Sequence, residues 1–186
     1  LLPEDMKKIK RPIIGYMGTI NSTRLDGELL YQIISQRPDY SFVFTGPEDD
    51  IFRRDRIHSL KNAYFTGQKK VDELPAYIAA YDVCINPQMV NEITDGNYPL
   101  KIDEYLAMGK PTVATSTHTM RNIFAGHTHL AINPEEWLAA IDRAVTEADD
   151  KELAKQRITF AETHSWGHSV KKIYEIIDSF LKKKTT

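Results

Sequence analysis

A single cysteine among 186 residues excludes a disulfide framework within the chain. Cys84 sits inside the apolar run Val83-Cys84-Ile85, where a thiol behaves as a small core hydrophobe, and this usage fits a reducing compartment. No apolar run approaches the ~20 residues that a membrane-spanning helix needs. Neither sign of charge is in excess: 24 Lys and Arg against 26 Asp and Glu leave a net charge of -2, which gives no footprint for nucleic acid. Two phosphate-binding glycine patterns are also missing. Gly15 and Gly18 do not complete G-x-G-x-x-G, and G-x-x-x-x-G-K-[ST] occurs nowhere. His127 and His129 alternate as on a strand, but two neighbours do not make a metal site. The start, Leu1-Leu2-Pro3-Glu4-Asp5-Met6, has neither an initiator Met nor a signal-peptide pattern, and reads as a cut inside a longer protein.

What is present is the pattern of one α/β domain. Hydrophobic residues make up 41% and charged residues 27%, ordinary proportions for a chain long enough to bury a sizeable core. Short β-branched or apolar runs at 12–17, 41–45, 62–66, 82–86, 112–115 and 128–132 alternate with helical patterns, which predicts a parallel sheet covered on both faces. Residues 26–34 carry apolar side chains on one helical face. A second helix is expected from Asp72, as its N-cap, with Pro75 tolerated in the first turn. The last third reads as helical at 134–148, 151–162 and 167–183, with Ile173, Ile176, Ile177, Phe180 and Leu181 forming a stripe in the last. Lys182-Lys183-Lys184 reads as a solvated tail.

The stretch from Pro99 to Thr115 is punctuated at both ends. Pro99 suits the first position of a helix and Gly109 the position just past its end. Pro111 then forbids further helix, and Thr112-Val113-Ala114-Thr115 suits a buried strand. Leu100, Tyr105, Leu106 and Met108 are expected to be buried. Lys101 and Glu104, three residues apart, share a face, with Asp103 solvated on another side. A lysine near a helix start opposes the macrodipole; it makes sense either as half of an ion pair or beside a bound anion.

The run Pro99-Leu100-Lys101-Ile102-Asp103-Glu104-Tyr105-Leu106-Ala107-Met108-Gly109-Lys110-Pro111-Thr112-Val113-Ala114-Thr115 resembles the donor-site segment of GT-B glycosyltransferases of the family 4 type, P-x-K-x-x-E-Y-L-A-x-G-K-P-V-V-A-T. Pro12-Ile13-Ile14-Gly15-Tyr16-Met17-Gly18, Phe42-Val43-Phe44-Thr45-Gly46-Pro47, Phe65-Thr66-Gly67, residues 74–87 and His164-Ser165-Trp166 are similar to further segments of that family, in its order. The resemblance implies one half of a GT-B fold: a Rossmann-like α/β parallel sheet of about six strands with helices on both faces. Residues 1–186 would be the C-terminal nucleotide-sugar-binding domain, with the N-terminal acceptor domain outside this chain.

The implied activity is retaining transfer of a sugar from a nucleoside diphosphate sugar to an acceptor, in cell-surface polysaccharide biosynthesis, with no metal or other cofactor. The setting is cytoplasmic; peripheral attachment of the full-length enzyme to the inner face of a membrane stays open. Lys101 and Arg24 are the expected catalytic cations. Gly18, Thr19, Asn91, Thr94, Asp95, Asn97, Tyr98, Pro99, Leu100, Lys101 and Glu104 would bind the donor, Glu104 through the ribose hydroxyls, and the backbone near Gly46 and Gly67 the base. Asn97 is equally suited to capping the helix that follows. Where many relatives carry a second glutamate, eight residues before Glu104, this chain has Gly96, with Asp95 and Glu92 nearby. A sugar-nucleotide 2-epimerase and a non-catalytic nucleotide-sugar-binding module remain the alternatives.

Overall fold

The computed structural model describes residues 2–165, 167, 170–171, 173–175 and 177. Six strands form one sheet: β1 (Ile13–Met17), β2 (Ser41–Thr45), β3 (Ala63–Gly67), β4 (Val83–Asn86), β5 (Thr112–Thr115) and β6 (His129–Ala131). Their spatial order is β3-β2-β1-β4-β5-β6, and every neighbouring pair is parallel. The helices are α1 (Gly27–Ser35), α2 (Leu74–Ala80), the single turn α3 (Glu92–Asp95), α4 (Leu100–Ala107), α5 (Pro134–Thr146) and α6 (Lys151–Glu162). This is the expected α/β sheet with helices on both faces. No helix among the described residues is long and apolar enough to cross a membrane.

Strand alternation sorts the core into two layers. Ile14, Tyr16, Phe42, Phe44, Val83 and Ile85 point to the side covered by α1 and α5, where they meet Leu30, Ile33, Trp137 and Ile141. Ile13, Met17, Val43, Cys84 and Ala114 point to the other side, against Ile78, Ile102, Tyr105 and Leu106. Cys84 is fully buried there, and its apolar surroundings push the thiol pKa up. Gly15 lies on this second face by alternation with Ile13 and Met17, and the Tyr81 ring crosses it. A Cβ at position 15 would stand 2.1 Å from ring carbons, and the ring is held in place by a 2.6 Å hydrogen bond between the Tyr81 and Thr45 hydroxyls. Gly15→Ala should therefore cost about 3 kcal/mol by overpacking. At roughly 2–4 °C per kcal/mol for a chain of this size, thermal unfolding should show the loss clearly. An unchanged midpoint would mean that the ring is free to move.

Four local expectations are corrected. Helix α2 begins at Leu74 with Glu73, not Asp72, at its N-cap, and no side chain closes the cap; Glu73 instead accepts from the Lys70 amide at 2.9 Å. Pro99 is the N-cap of α4 rather than its first residue, because its ψ of 88° is not helical. Leu100 is 70% exposed and Met108 39%, while Ile102, Tyr105 and Leu106 are buried. The cause is geometric: Leu100 lies about 200° round the helix from Ile102, which faces the sheet. Asp103 is not simply solvated, since Tyr98 Oη donates to it at 2.6 Å and His164 Nδ1 lies 2.9 Å away.

The end of α4 is as expected. Gly109, at φ 71°, follows the C-cap Met108, and the Lys110 and Gly109 amides bond back to the Tyr105 and Leu106 carbonyls in a Schellman pattern. Lys110 Nζ reaches the carbonyls of Ala79 and Tyr81 at 2.8 and 2.7 Å, tying α4 to the end of α2. Ile173 and Ile177 of the expected terminal stripe are exposed. Trp166, Ile176, Phe180, Leu181 and Lys182-Lys183-Lys184 lie outside the described residues.

Candidate functional site

Strand order reverses between β1 and β4, so the loops leaving their carboxyl ends diverge and open a crevice. Both loops are braced. After β1, the Ile20 amide bonds to the Pro47 carbonyl and the Asp49 amide to that of Ile20, while Ser22 donates through its amide and hydroxyl to Asp49 at 2.7 Å. On the opposite side the Met89 amide bonds to the Arg24 carbonyl and the Asp26 amide to that of Pro87. The loops after β1, β2 and β4 thus hold one another.

Two cavities meet in this crevice. A cleft of about 670 Å³ is lined by Tyr16, Gly18, Thr19, Asn21, Thr23, Arg24, Leu25, Gln88 and the segment Asn97–Lys101. A neighbour of about 400 Å³ runs past Thr45, Gly46, Pro47, Gln68, Lys69 and Leu74 to Glu104. Gly18, Thr19 and Lys101 border both, so Lys101 stands at the junction.

Helix α4 delivers Lys101 there by register. One turn further on, Tyr105 Oη accepts from the Met17 amide at 2.9 Å and donates to the Met17 carbonyl at 3.3 Å, fixing that helix face on β1. Lys101, four residues earlier, then projects beyond the strand end. Its Nζ donates to Tyr16 Oη at 2.7 Å and lies 4.1 Å from the Tyr16 ring centre. Tyr16 Oη in turn donates to the Thr19 carbonyl at 3.0 Å. Burial raises the Tyr16 pKa, so its phenol stays neutral and accepts from the ammonium. Gly18 gives the lysine its passage, since a Cβ at position 18 would lie 2.8 Å from Nζ. Gly46 makes room for Gly18 in turn: a Cβ there would stand 2.0 Å from the Gly18 carbonyl oxygen.

The electrostatics are unbalanced. Desolvation lowers the Lys101 pKa to about 8; Glu104 opposes that fall and Arg24 adds to it. No carboxylate is within ion-pair distance of Lys101 or Arg24 among the described residues, so two cations border one cleft without a bonded anion. The Leu100 and Lys101 amides, first and second in α4, have no carbonyl a turn earlier to bond. Glu104, on the Lys101 face at the rim of the smaller cavity, has its carboxyl pKa raised by desolvation, with Lys101 pulling the other way. A group of cations and unbonded amides of this kind fits a diphosphate, and a carboxylate one turn on fits a diol.

Of the candidate residues, the structure brings Gly18, Thr19, Arg24, Asn97, Tyr98, Pro99, Leu100 and Lys101 round the larger cleft, and Gly46 and Glu104 round the smaller. Gly67 supports the latter through its carbonyl, which accepts from the Gly46 amide at 3.0 Å. Asn91, Thr94 and Asp95 are outside both linings. Asn91 and Thr94 bond reciprocally, amide to side chain, at 3.0 Å, and Asp95 accepts from the His118 amide at 2.7 Å. Asn97 makes no cap, because Pro99 holds that position without a side-chain bond. Sequence reasoning missed several lining residues, among them Tyr16, Gln88, Gln68 and Lys69. Tyr16 could have been found as the last inner-face residue of β1 before the turn; for Gln88 there was no local signal. Among the described residues no group of three or more His, Cys, Asp and Glu side chains is placed to hold a metal ion. His129 instead pairs with Glu147 at 3.0 Å, and His127 stacks on Phe160.

A family model described as glycosyl transferases group 1 matches residues 11–147. The chain is 28% identical over 160 residues to "Putative teichuronic acid biosynthesis glycosyltransferase TuaH" of Bacillus subtilis (strain 168), covering 83% of this chain and 40% of that protein. Among solved structures, sucrose-phosphate synthase from Thermosynechococcus elongatus superposes with a TM-score of 0.72 at 19% identity, over 98% of this chain and 50% of the other. Anabaena HepE in complex with UDP gives 0.72 at 15% identity, over 96% and 54%. The chain therefore spans about half the length, or less, of these relatives. With its family model matched over most of its length and its fold superposing on such neighbours, the chain belongs to the glycosyl transferases group 1 family, as a GT-B-type, Rossmann-like α/β domain.

Proposed function

We propose that the chain is the donor-binding half of a retaining glycosyltransferase, holding a nucleoside diphosphate sugar while a domain outside this chain presents the acceptor. The observation that carries this reading is Lys101: a desolvated ammonium with no bonded carboxylate among the described residues, at the start of α4 and lining the same cleft as Arg24. The diphosphate would lie in the larger cleft against Lys101, Arg24 and the amides of Leu100 and Lys101, and the nucleoside in the smaller cavity. Glu104 would accept from the ribose hydroxyls, and the backbone at Gly46 and Gly67 would face the base. As the glycosyl bond breaks, negative charge gathers on the departing diphosphate, and prepositioned donors stabilise it, each by roughly 2.7–4 kcal/mol where one has been removed in comparable sites. No metal has a part in this scheme. The bound UDP of HepE and the teichuronic acid pathway named for TuaH support a nucleotide-sugar donor and a cell-surface polysaccharide product.

A second reading has its own observation. Gly96 is exposed with open space beside it, Asn91 and Thr94 are bonded to each other, and Asp95 accepts from the His118 amide, which leaves few side chains for sugar hydroxyls. A nucleotide-sugar-binding module without transfer would look the same.

Calorimetric titration of the 186-residue chain with UDP, GDP and ADP tests the common part. At least one should bind saturably, and failure of all three would remove the proposal. In the full-length protein a new glycoside from a nucleotide sugar marks the transferase, and an epimerised free nucleotide sugar the epimerase. Binding with neither product marks the module.

A further inference from the structure

Pro99 caps α4 with no side-chain bond, yet the Leu100 and Lys101 amides must be held steady to face an anion. The residue before the cap, Tyr98, and the fourth helical residue, Asp103, occupy the two positions that a hydrophobic staple joins at a helix start. Here they are joined by a hydrogen bond instead: Tyr98 Oη donates to Asp103 Oδ2 at 2.6 Å. The other carboxylate oxygen, Oδ1, lies 2.9 Å from His164 Nδ1, which comes from just beyond α6 and 61 residues along the chain. The His164 ring is seated edge-on against Phe160 at 4.5 Å and Phe124 at 5.8 Å, and Tyr98 tilts against Phe124 at 5.5 Å. Tyr98 also lines the larger cleft. Asp103 thus has one oxygen engaged from the entry of its own helix and the other from the segment after α6, and its backbone lies in the first turn of α4.

We propose that Tyr98, Asp103 and His164 form a polar staple that positions the start of α4 for the diphosphate and links that turn to the segment after α6. All three are positioning residues, and the inference rests on the reading of the cleft as a diphosphate site. The staple acts on the phosphate-facing amides and not on the nucleoside cavity. Its loss therefore separates the two halves of the ligand, which a general loss of structure does not.

Affinities for UDP and for uridine, measured by NMR titration on the 186-residue chain, make the test. Tyr98→Phe and His164→Ala should each weaken UDP about fivefold and Asp103→Ala at least about tenfold, with uridine changed less than about twofold. His164→Asn keeps a donor near the Nδ1 position and should restore UDP binding to within about twofold of wild type. In the unliganded chain, backbone order parameters at Leu100 and Lys101 should fall in Asp103→Ala. Unchanged order parameters, or UDP and uridine weakening in parallel, would overturn the staple while leaving the cleft's reading intact. A wild-type chain that binds no UDP, GDP or ADP would overturn the reading of the cleft, and the order parameters would then judge the staple alone.

Discussion

Lys101→Ala should weaken nucleoside diphosphate binding by the 186-residue chain roughly 30- to 150-fold, the equivalent of about 2–3 kcal/mol for a charge-assisted hydrogen bond lost in a partly desolvated site. The loss is expected to be large because, among the described residues, the lysine has no carboxylate partner and bonds only to the neutral phenol of Tyr16, so its charge is left for the proposed ligand. The same arrangement sets the pH dependence. In the free chain desolvation brings the Lys101 pKa down to about 8, and a bound anion favours the ammonium and raises it. Between those two values binding takes up a proton, so the lysine's contribution is fully present below about pH 7 and affinity falls as pH rises through 8, by up to about tenfold per unit. The alanine variant should bind weakly and show no such alkaline limb. Calorimetry from about pH 7 to about pH 9 checks both, and a wild-type affinity constant across that range would remove Lys101 from the site. In the full-length protein, transfer should fall at least about tenfold.

Glu104→Ala should lower affinity for UDP about tenfold and abolish discrimination between UDP and its 2′,3′-dideoxy analogue. A carboxylate that accepts from two vicinal hydroxyls reports on the sugar itself, which phosphate contacts cannot do. Glu104 has a second effect, since its charge is what opposes the fall in the Lys101 pKa. Glu104→Gln removes that support, so the alkaline limb of the binding profile should move to lower pH, while Lys101→Ala has no limb to move. An alanine variant that still prefers UDP over the dideoxy analogue, together with a glutamine variant whose limb is unmoved, would show that the carboxylate faces neither ribose nor lysine.

How much of this was legible in the sequence follows the range of the interactions. All six strands lie within a residue of the expected runs at each end; the four inner ones are buried throughout, which leaves little choice of residue. Gly109 and Pro111 marked the end of α4 because their backbone preferences act locally. The errors lie where local preference met a distant partner. Asp103 looked solvated because His164 is 61 residues away, and Tyr16 looked like an ordinary strand residue because Lys101 is 85 residues away. Thr94 and Asp95, which the resemblance implies to be donor-binding, lie outside both linings: Thr94 bonds to Asn91 in its own loop and Asp95 accepts from the His118 amide, partners that polarity in a sequence does not reveal. Pro99 failed by a single position, since its fixed φ suits either side of the helix boundary and only ψ separates the two.

The mutual bracing of the loops after β1, β2 and β4 bears on how a ligand is received. Main-chain bonds that tie Ile20 to Pro47 and Met89 to Arg24 form when the domain folds, before any nucleotide arrives. The conformational entropy of these segments is then lost at folding and not at encounter, and the site starts each binding event already organised.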